Sequence, residues 1–168
     1  NSKLFYQFID SNGLIFTEDR SISENSAIQT APRVKRSSNG NIFVNWKDLR
    51  NDPIDGDQYF QKIDENGEVQ WGGGVRLDLS EDIDFSARFS PGGNGDVNVI
   101  WERGTFPEVD ILFQNINSNG ELSVENSLFI SNSNGYQFAP ILNGNTEEGL
   151  HAIYADQGNG SINLMVQK

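Results

Sequence analysis

The sequence predicts an all-β fold of the propeller type, on three observations. A set of motifs recurs every 53 to 55 residues, a period suited to one four-stranded blade per repeat. Turn formers are in excess, with Gly (17) and Asn (20) making 37 of 168 residues. No stretch keeps the i, i+3, i+4, i+7 apolar spacing of a helix over ten residues.

The repeat is visible in several independent sets. FYQFIDSNGLI from Phe5, YFQKIDENGEV from Tyr59, LFQNINSNGEL from Leu112 and LMVQK from Leu164 align, with Gln7, Gln61, Gln114 and Gln167 spaced 54, 53 and 53. Gly13, Gly67 and Gly120 keep that step. Trp46, Trp101 and Tyr154 form a second set, and Gly40, Gly95 and Gly149 a third. Ala31-Pro32, Ala87-Arg88 and Ala139-Pro140 are read as a fourth.

Each repeat reads as four short strands. Strand A is PRVKRS, ARFSP or APILN, and a Gly-rich turn such as SSNGN or GGNGD follows. Strand B is IFVNWKD, VNVIWER or LHAIYAD. Its alternation of Ile42, Val44 and Trp46 against Phe43, Asn45 and Lys47 has apolar residues on both faces, which suits a strand buried between neighbouring sheets. Strand C is DQYFQKID, DILFQNIN or SINLMVQK. The DSNG, DENG and NSNG turns after it place Asn and Gly where a hairpin needs positive φ. Strand D is expected directly after, in GLIFT, EVQWG and ELSVE, followed by a longer polar link. The chain therefore reads as one repeat domain over 1–168, with repeats at about 5–58, 59–111 and 112–168. It runs C and D, two full blades, then A, B and C. That is about three blades where a closed ring has roughly four to eight. Either it is a fragment of a larger propeller, or copies associate to cover the open ends. The lack of an initiator Met fits a processed product or a piece of something longer.

The pattern of Asp57, Tyr59, Gln61, Lys62, Ile63, Asp64, Asn66, Gly67 and Trp71, with Ala31, Pro32, Gly40, Trp46, Asp48 and Arg50 upstream, resembles the repeats of secreted and surface β-propellers of Bacteroidetes-type bacteria. The resemblance implies an extracellular, cell-surface or periplasmic bacterial protein. The later repeats depart from it, with Glu102-Arg103 in place of Asp-x-Arg and Tyr154 in place of Trp.

Composition removes several chemistries. Twelve Lys and Arg against 24 Asp and Glu give a formal charge of −12, which repels nucleic acid and anionic lipid. With no Cys there is no disulfide, thiolate metal site or cysteine nucleophile. One histidine, His151, excludes any site that needs two imidazoles, and it falls mid-strand at a repeat position. No apolar run approaches the ~18 residues of a membrane span. The D-x-N-G turns offer too few carboxylates for calcium, and the third, NSNG, offers none. The acidic link Asp78, Glu81, Asp82 and Asp84 reads as a solvated charge run. Gly72-Gly73-Gly74 lacks the helix N-terminus of a phosphate loop. No cofactor, metal or catalytic residue is expected.

Binding is expected in the B-to-C loops, 47–56, 102–109 and 155–160, which differ most between repeats and share a face with the D-to-A links. Asp48, Arg50, Arg103, Phe106 and Asp156 are the candidates there, with an ion pair as the plainer reading of Asp48 and Arg50. Trp71 is a sixth, as either an exposed contact or packing at the blade edge. Trp46, Trp101 and Tyr154 read as core between blades. The function expected is a non-enzymatic binding or scaffold module for a protein surface or glycan. The alternatives are part of a polysaccharide hydrolase, or a purely structural segment of an adhesin or assembly.

Overall fold

The computed structural model describes residues 2–15, 17–145, 149–158 and 162–167. Among these are thirteen strands: β1 (Phe5–Tyr6), β2 (Arg20–Ser21), β3 (Gln29–Arg36), β4 (Ile42–Asp48), β5 (Asp57–Ile63), β6 (Val75–Arg76), β7 (Asp84–Pro91), β8 (Val97–Thr105), β9 (Glu108–Ile116), β10 (Leu128–Ser131), β11 (Gln137–Asn145), β12 (Gly149–Asp156) and β13 (Asn163–Gln167). They form four antiparallel sheets: β1-β2, β3-β4-β5-β6, β7-β8-β9-β10 and β11-β12-β13. The paired strands C and D, two complete blades and a three-stranded blade follow the repeat pattern.

Strand D lies later than expected. Val69 and Leu122 make only isolated bridges to Ile63 and Ile116, and pairing proper begins at Val75 and Leu128. The repeated glutamine explains the detour. Gln61 is buried; its Oε1 accepts the Trp71 amide at 2.8 Å and its Nε2 donates to the Gly72 carbonyl at 2.9 Å. Gln114 does the same through the Val124 carbonyl at 2.8 Å. The side chain stands in for a backbone partner while the chain swings outward. The Gln167 side chain lies outside the described residues.

Strand A also differs. Each copy carries a bulge, between Thr30 and Arg33, Phe85 and Arg88, and Phe138 and Ile141. At each bulge one small residue has positive φ: Ala31 (51°), Ser86 (56°) and Ala139 (54°). The structural equivalent of Ala31-Pro32 is thus Ser86-Ala87, one residue before the pair read from sequence. The unusual backbone hid residues 29–30, 84–85 and 137–138, which pair with strand B before the bulge.

Face-to-face packing joins the sheets. Phe43, Phe60, Trp71 and Leu77 of one full blade meet Phe89, Val97, Val99 and Trp101 of the next, with Phe60 edge-on to Phe89 at 5.4 Å. Burying each such side chain contributes roughly 1.5–3 kcal/mol. Ile100 and Ile111 pack on Leu142, Ala152 and Tyr154 of the three-stranded blade. Trp46 and Trp101 are fully buried and Tyr154 nearly so. His151 is exposed on β12. The N-terminal strands are less complete: Leu4, Tyr6 and Phe8 approach Val44 and Ile63 but leave an apolar groove between them.

Candidate functional site

Two faces of the stack differ in character. One carries the A-to-B and C-to-D turns, tied blade to blade by side chains on carbonyls: Asn39 Nδ2 donates to Gly93 at 3.0 Å and Lys62 Nζ to Ser118 at 2.9 Å. In the C-to-D turns, Asp10, Asp64 and Asn117 each accept two backbone amides, so these oxygens are spent on the hairpin. The other face gathers the B-to-C loops and D-to-A links. There Glu108 Oε2 accepts the Gly135 amide at 2.9 Å, and Val109 bridges Tyr136.

Asp48 and Arg50 lie beneath this second face. Asp48 is fully buried and receives Trp46 Nε1 at 2.9 Å, Gln29 Nε2 at 3.2 Å and a fork from Arg50, Nε at 2.9 Å and Nη2 at 2.7 Å. Arg50 also lies 4.0 Å over the Tyr59 ring, donates to the Gly73 carbonyl at 3.0 Å and reaches Ser23 at 3.2 Å. Burial alone would raise the Asp48 pKa, but the Arg50 and Trp46 bonds outweigh it and hold the carboxyl below its ordinary value. The expected ion pair exists, buried rather than on the surface, and no oxygen of Asp48 is left for a ligand.

Arg103 is likewise committed. It forks onto Asp84, Nε at 2.8 Å and Nη2 at 3.0 Å, and reaches Asp78 at 2.8 Å. Trp101 Nε1 donates to Asp84 at 2.9 Å. The link from Asp78 to Asp84 is therefore not simply a solvated run: its two end carboxylates are folded inward onto one guanidinium. Burial raises the Asp84 pKa, and Asp78 beside it adds to the rise, against Arg103 and Trp101. Asp78 is held low: burial opposes, but Ser127, the Ser80 amide and Arg103 prevail.

Trp71 is not an exposed contact. It is 7% exposed, and its indole lies over Gly120 of the next blade's C-to-D turn, donating to Ser118 at 3.3 Å. A Cβ on Gly120 would stand 2.8 Å from the Trp71 ring, so the turn glycine makes room for it. Phe8 covers Gly67 in the same way.

Phe106 and Asp156 remain, and the structure brings them to one corner. Phe106 is 74% exposed at the tip of the β8–β9 hairpin, with its ring 5.6 Å from Tyr136 in an edge contact. Tyr136 stacks on Phe138 at 4.7 Å and 11°. Asp156 pairs across from Gln137, accepts Ser133 Oγ at 3.0 Å and the Gly158 amide at 2.6 Å, and its neighbour Gln157 donates to the Tyr136 carbonyl at 2.9 Å. The rest of this B-to-C loop, 159–161, lies outside the described residues. Glu102 and Asp110 belong to the same hairpin. Burial raises the pKa of both, for Asp110 together with the Glu108 charge; at Glu102 the Ala139 amide, Ser86 and Arg88 only partly offset it.

Sequence reasoning missed Tyr136, Phe138 and the partners Gln29, Asp78 and Asp84. A signal existed for some of them. Gln29, Asp84 and Gln137 share the 55- and 53-residue steps, whereas Tyr136 breaks its own series of Ile28 and Ile83.

No family model and no curated protein matches the chain. Among solved structures it is similar to the endo-arabinase of Bacteroides thetaiotaomicron, with a TM-score of 0.53 and 12% identity over 94% of this chain. The fold is thus propeller-like. The chain spans 62% of the length of that protein.

Proposed function

We propose that this chain is part of an extracellular, non-enzymatic propeller that binds a glycan or a protein surface through the loops of one face. The supporting observation is the exposed Phe106 ring on the loop face, beside acids that no arginine pairs among the described residues. Further blades of a longer chain, or a second copy, cover the open ends in this reading. The test is a panel of immobilised glycans and purified surface proteins, run beside an assay for released reducing ends. Saturable binding without turnover supports the reading; turnover overturns it.

The likeness to an endo-arabinase favours a second reading, a glycan hydrolase. Glu102, buried beside β11 and held above its ordinary range, is then the residue to examine. Hydrolysis requires two carboxyl groups about 5–10 Å apart across one cleft. Under this reading Glu102→Gln abolishes reducing-end release, while Asp110→Asn, on the opposite face of the β8–β9 pair, does not.

A further inference from the structure

We infer that Phe106, Tyr136 and Phe138 form a stacking subsite for an uncharged polysaccharide, with Glu108 and Asp156 accepting its hydroxyls. This rests on the binding-module reading and names the ligand class.

The first argument is periodicity. Residues that keep the blade step are needed by blade packing: Trp46 and Trp101 are buried wherever they recur. Tyr136 occupies the position of Ile28 and Ile83, so the repeat does not call for a tyrosine there. Phe106 sits on a hairpin whose counterpart, 47–56, has a different length and content. Phe106 and Tyr136 are therefore additions to the blade, and Phe138, which keeps the step of Phe85, backs them.

The second argument is placement. Tyr136, just before β11, and Phe138, near its start, lie two residues apart, and their stacking makes a backing of fixed orientation. Phe106 leans on that backing and keeps a ring face open to solvent. A rigid aromatic with few torsions binds at small entropic cost. A flat apolar ring suits the C–H face of a sugar and does not suit a charged group that must stay hydrated.

The third argument is the charge around the rings. The first two blades each neutralise the buried carboxylate with an arginine, Arg50 or Arg103. In the third blade Gly158 stands where Arg50 stands in the first, and Asp156 receives only Ser133 and an amide among the described residues. Glu108 spends Oε2 on Gly135 and has no ion pair among those residues. Carboxylates accept hydroxyl hydrogens well. They also repel sulfated and uronic polymers, as does the net charge of −12. The Tyr136 hydroxyl makes no hydrogen bond to another described residue and adds a donor at the same place.

The experiment measures binding of linear arabinan, mixed-linkage glucan and mannan by affinity electrophoresis and calorimetry, for the wild type, Phe106→Ala and Glu108→Gln. Phe106 is too exposed for its loss to unfold the chain, and a melting curve verifies that. The expectation is binding of at least one neutral polymer, weakened about tenfold or more by Phe106→Ala and severalfold by Glu108→Gln, and unchanged between low and high salt. Neutral-glycan binding that survives Phe106→Ala overturns the subsite and leaves the binding-module reading standing. Salt-sensitive binding of a lysine-rich peptide, with no neutral polymer bound, overturns the ligand class alone. Failure to bind any glycan or surface protein overturns both.

Discussion

In the β3–β6 sheet, the carboxylate that receives the tryptophan indole is Asp48, two residues from Trp46 on the same strand. In the β7–β10 sheet it is Asp84, on the strand next to Trp101. The arginine has moved too, from the loop after strand B at Arg50 onto strand B itself at Arg103. Gln29 faces Asp48 in the first sheet, and Asp84 faces Arg103 at the same register in the second. Indole, carboxylate and guanidinium therefore recur while the carboxylate shifts from strand B to strand A and the arginine from the loop onto strand B. The second sheet also adds a further acid, Asp78, to the same arginine. What the repeat preserves is a buried, neutralised cluster under the loop face, rather than a residue at a position.

The sharpest way to break this comparison is to remove each arginine. Arg103→Met strands two buried carboxylates and should cost about 3–5 kcal/mol. Arg50→Met leaves one carboxylate that still holds Trp46 and Gln29, at roughly 1–3 kcal/mol. Urea unfolding of the two variants checks the order, and equal losses would mean Asp78 is not part of the second cluster. The next effect concerns the space around each tryptophan. A Cβ on Gly74 would stand 2.5 Å from the Trp46 ring, at a φ of +94°. The equivalent in the second sheet is Ser127, which donates to Asp78. Gly74→Ser should therefore destabilise by roughly 2–4 kcal/mol, and Ser127→Gly by about 1 kcal/mol.

Acid titration sharpens the contrast further, because the two carboxylates shift in opposite directions. Asp48 is lowered in the folded state, so its contribution is complete above the unfolded pKa of about 3.9 and disappears as pH falls through the folded value. Asp84 is raised, so the folded chain holds an extra proton above that pKa, and stability declines as pH rises toward the folded value. Asp48→Asn should flatten the acid loss, and Asp84→Asn should remove the decline, both read as urea midpoints from about pH 3 to 6. The smallest effect belongs to the bulges. Ala31→Gly, Ser86→Gly and Ala139→Gly each relieve a left-handed backbone but add unfolded-state freedom, for a net gain of about 0.5 kcal/mol or less in thermal melts.

The architecture was legible because Gln61, Gly67 and Trp46 recur with their period intact. Strand B needed no correction in the first blade, since the apolar residues of Ile42–Asp48 mark a strand buried on both faces. Strand D was misplaced because a side-chain hydrogen bond from Gln61 carries the chain past the hairpin, and side-chain substitution for a ladder leaves no alternation to read. At the candidate site, Phe106 and Asp156 were found as departures on variable loops. Asp48 and Arg103 read as loop charges because burial depends on the neighbouring strand, and the shift of the carboxylate to Asp84, with Arg103 at the Asp48 register, removed the repeated Asp-x-Arg that would have exposed them as a pair.

The proline-bearing bulges have a consequence beyond their own sheets. β3 and β11 are edge strands, and Pro32 and Pro140 each remove an amide just where the bulge kinks the edge. On β3, Arg33, Lys35 and Arg36 add charge to the same border. Such an edge cannot template the addition of a foreign strand. β13 has none of these protections: Leu164 and Val166 are 73% and 65% exposed, and Asn163–Gln167 contains neither charge nor proline. Concentrated solutions of the chain should therefore begin to aggregate along β13, and a lysine at Val166 is the change that would slow it.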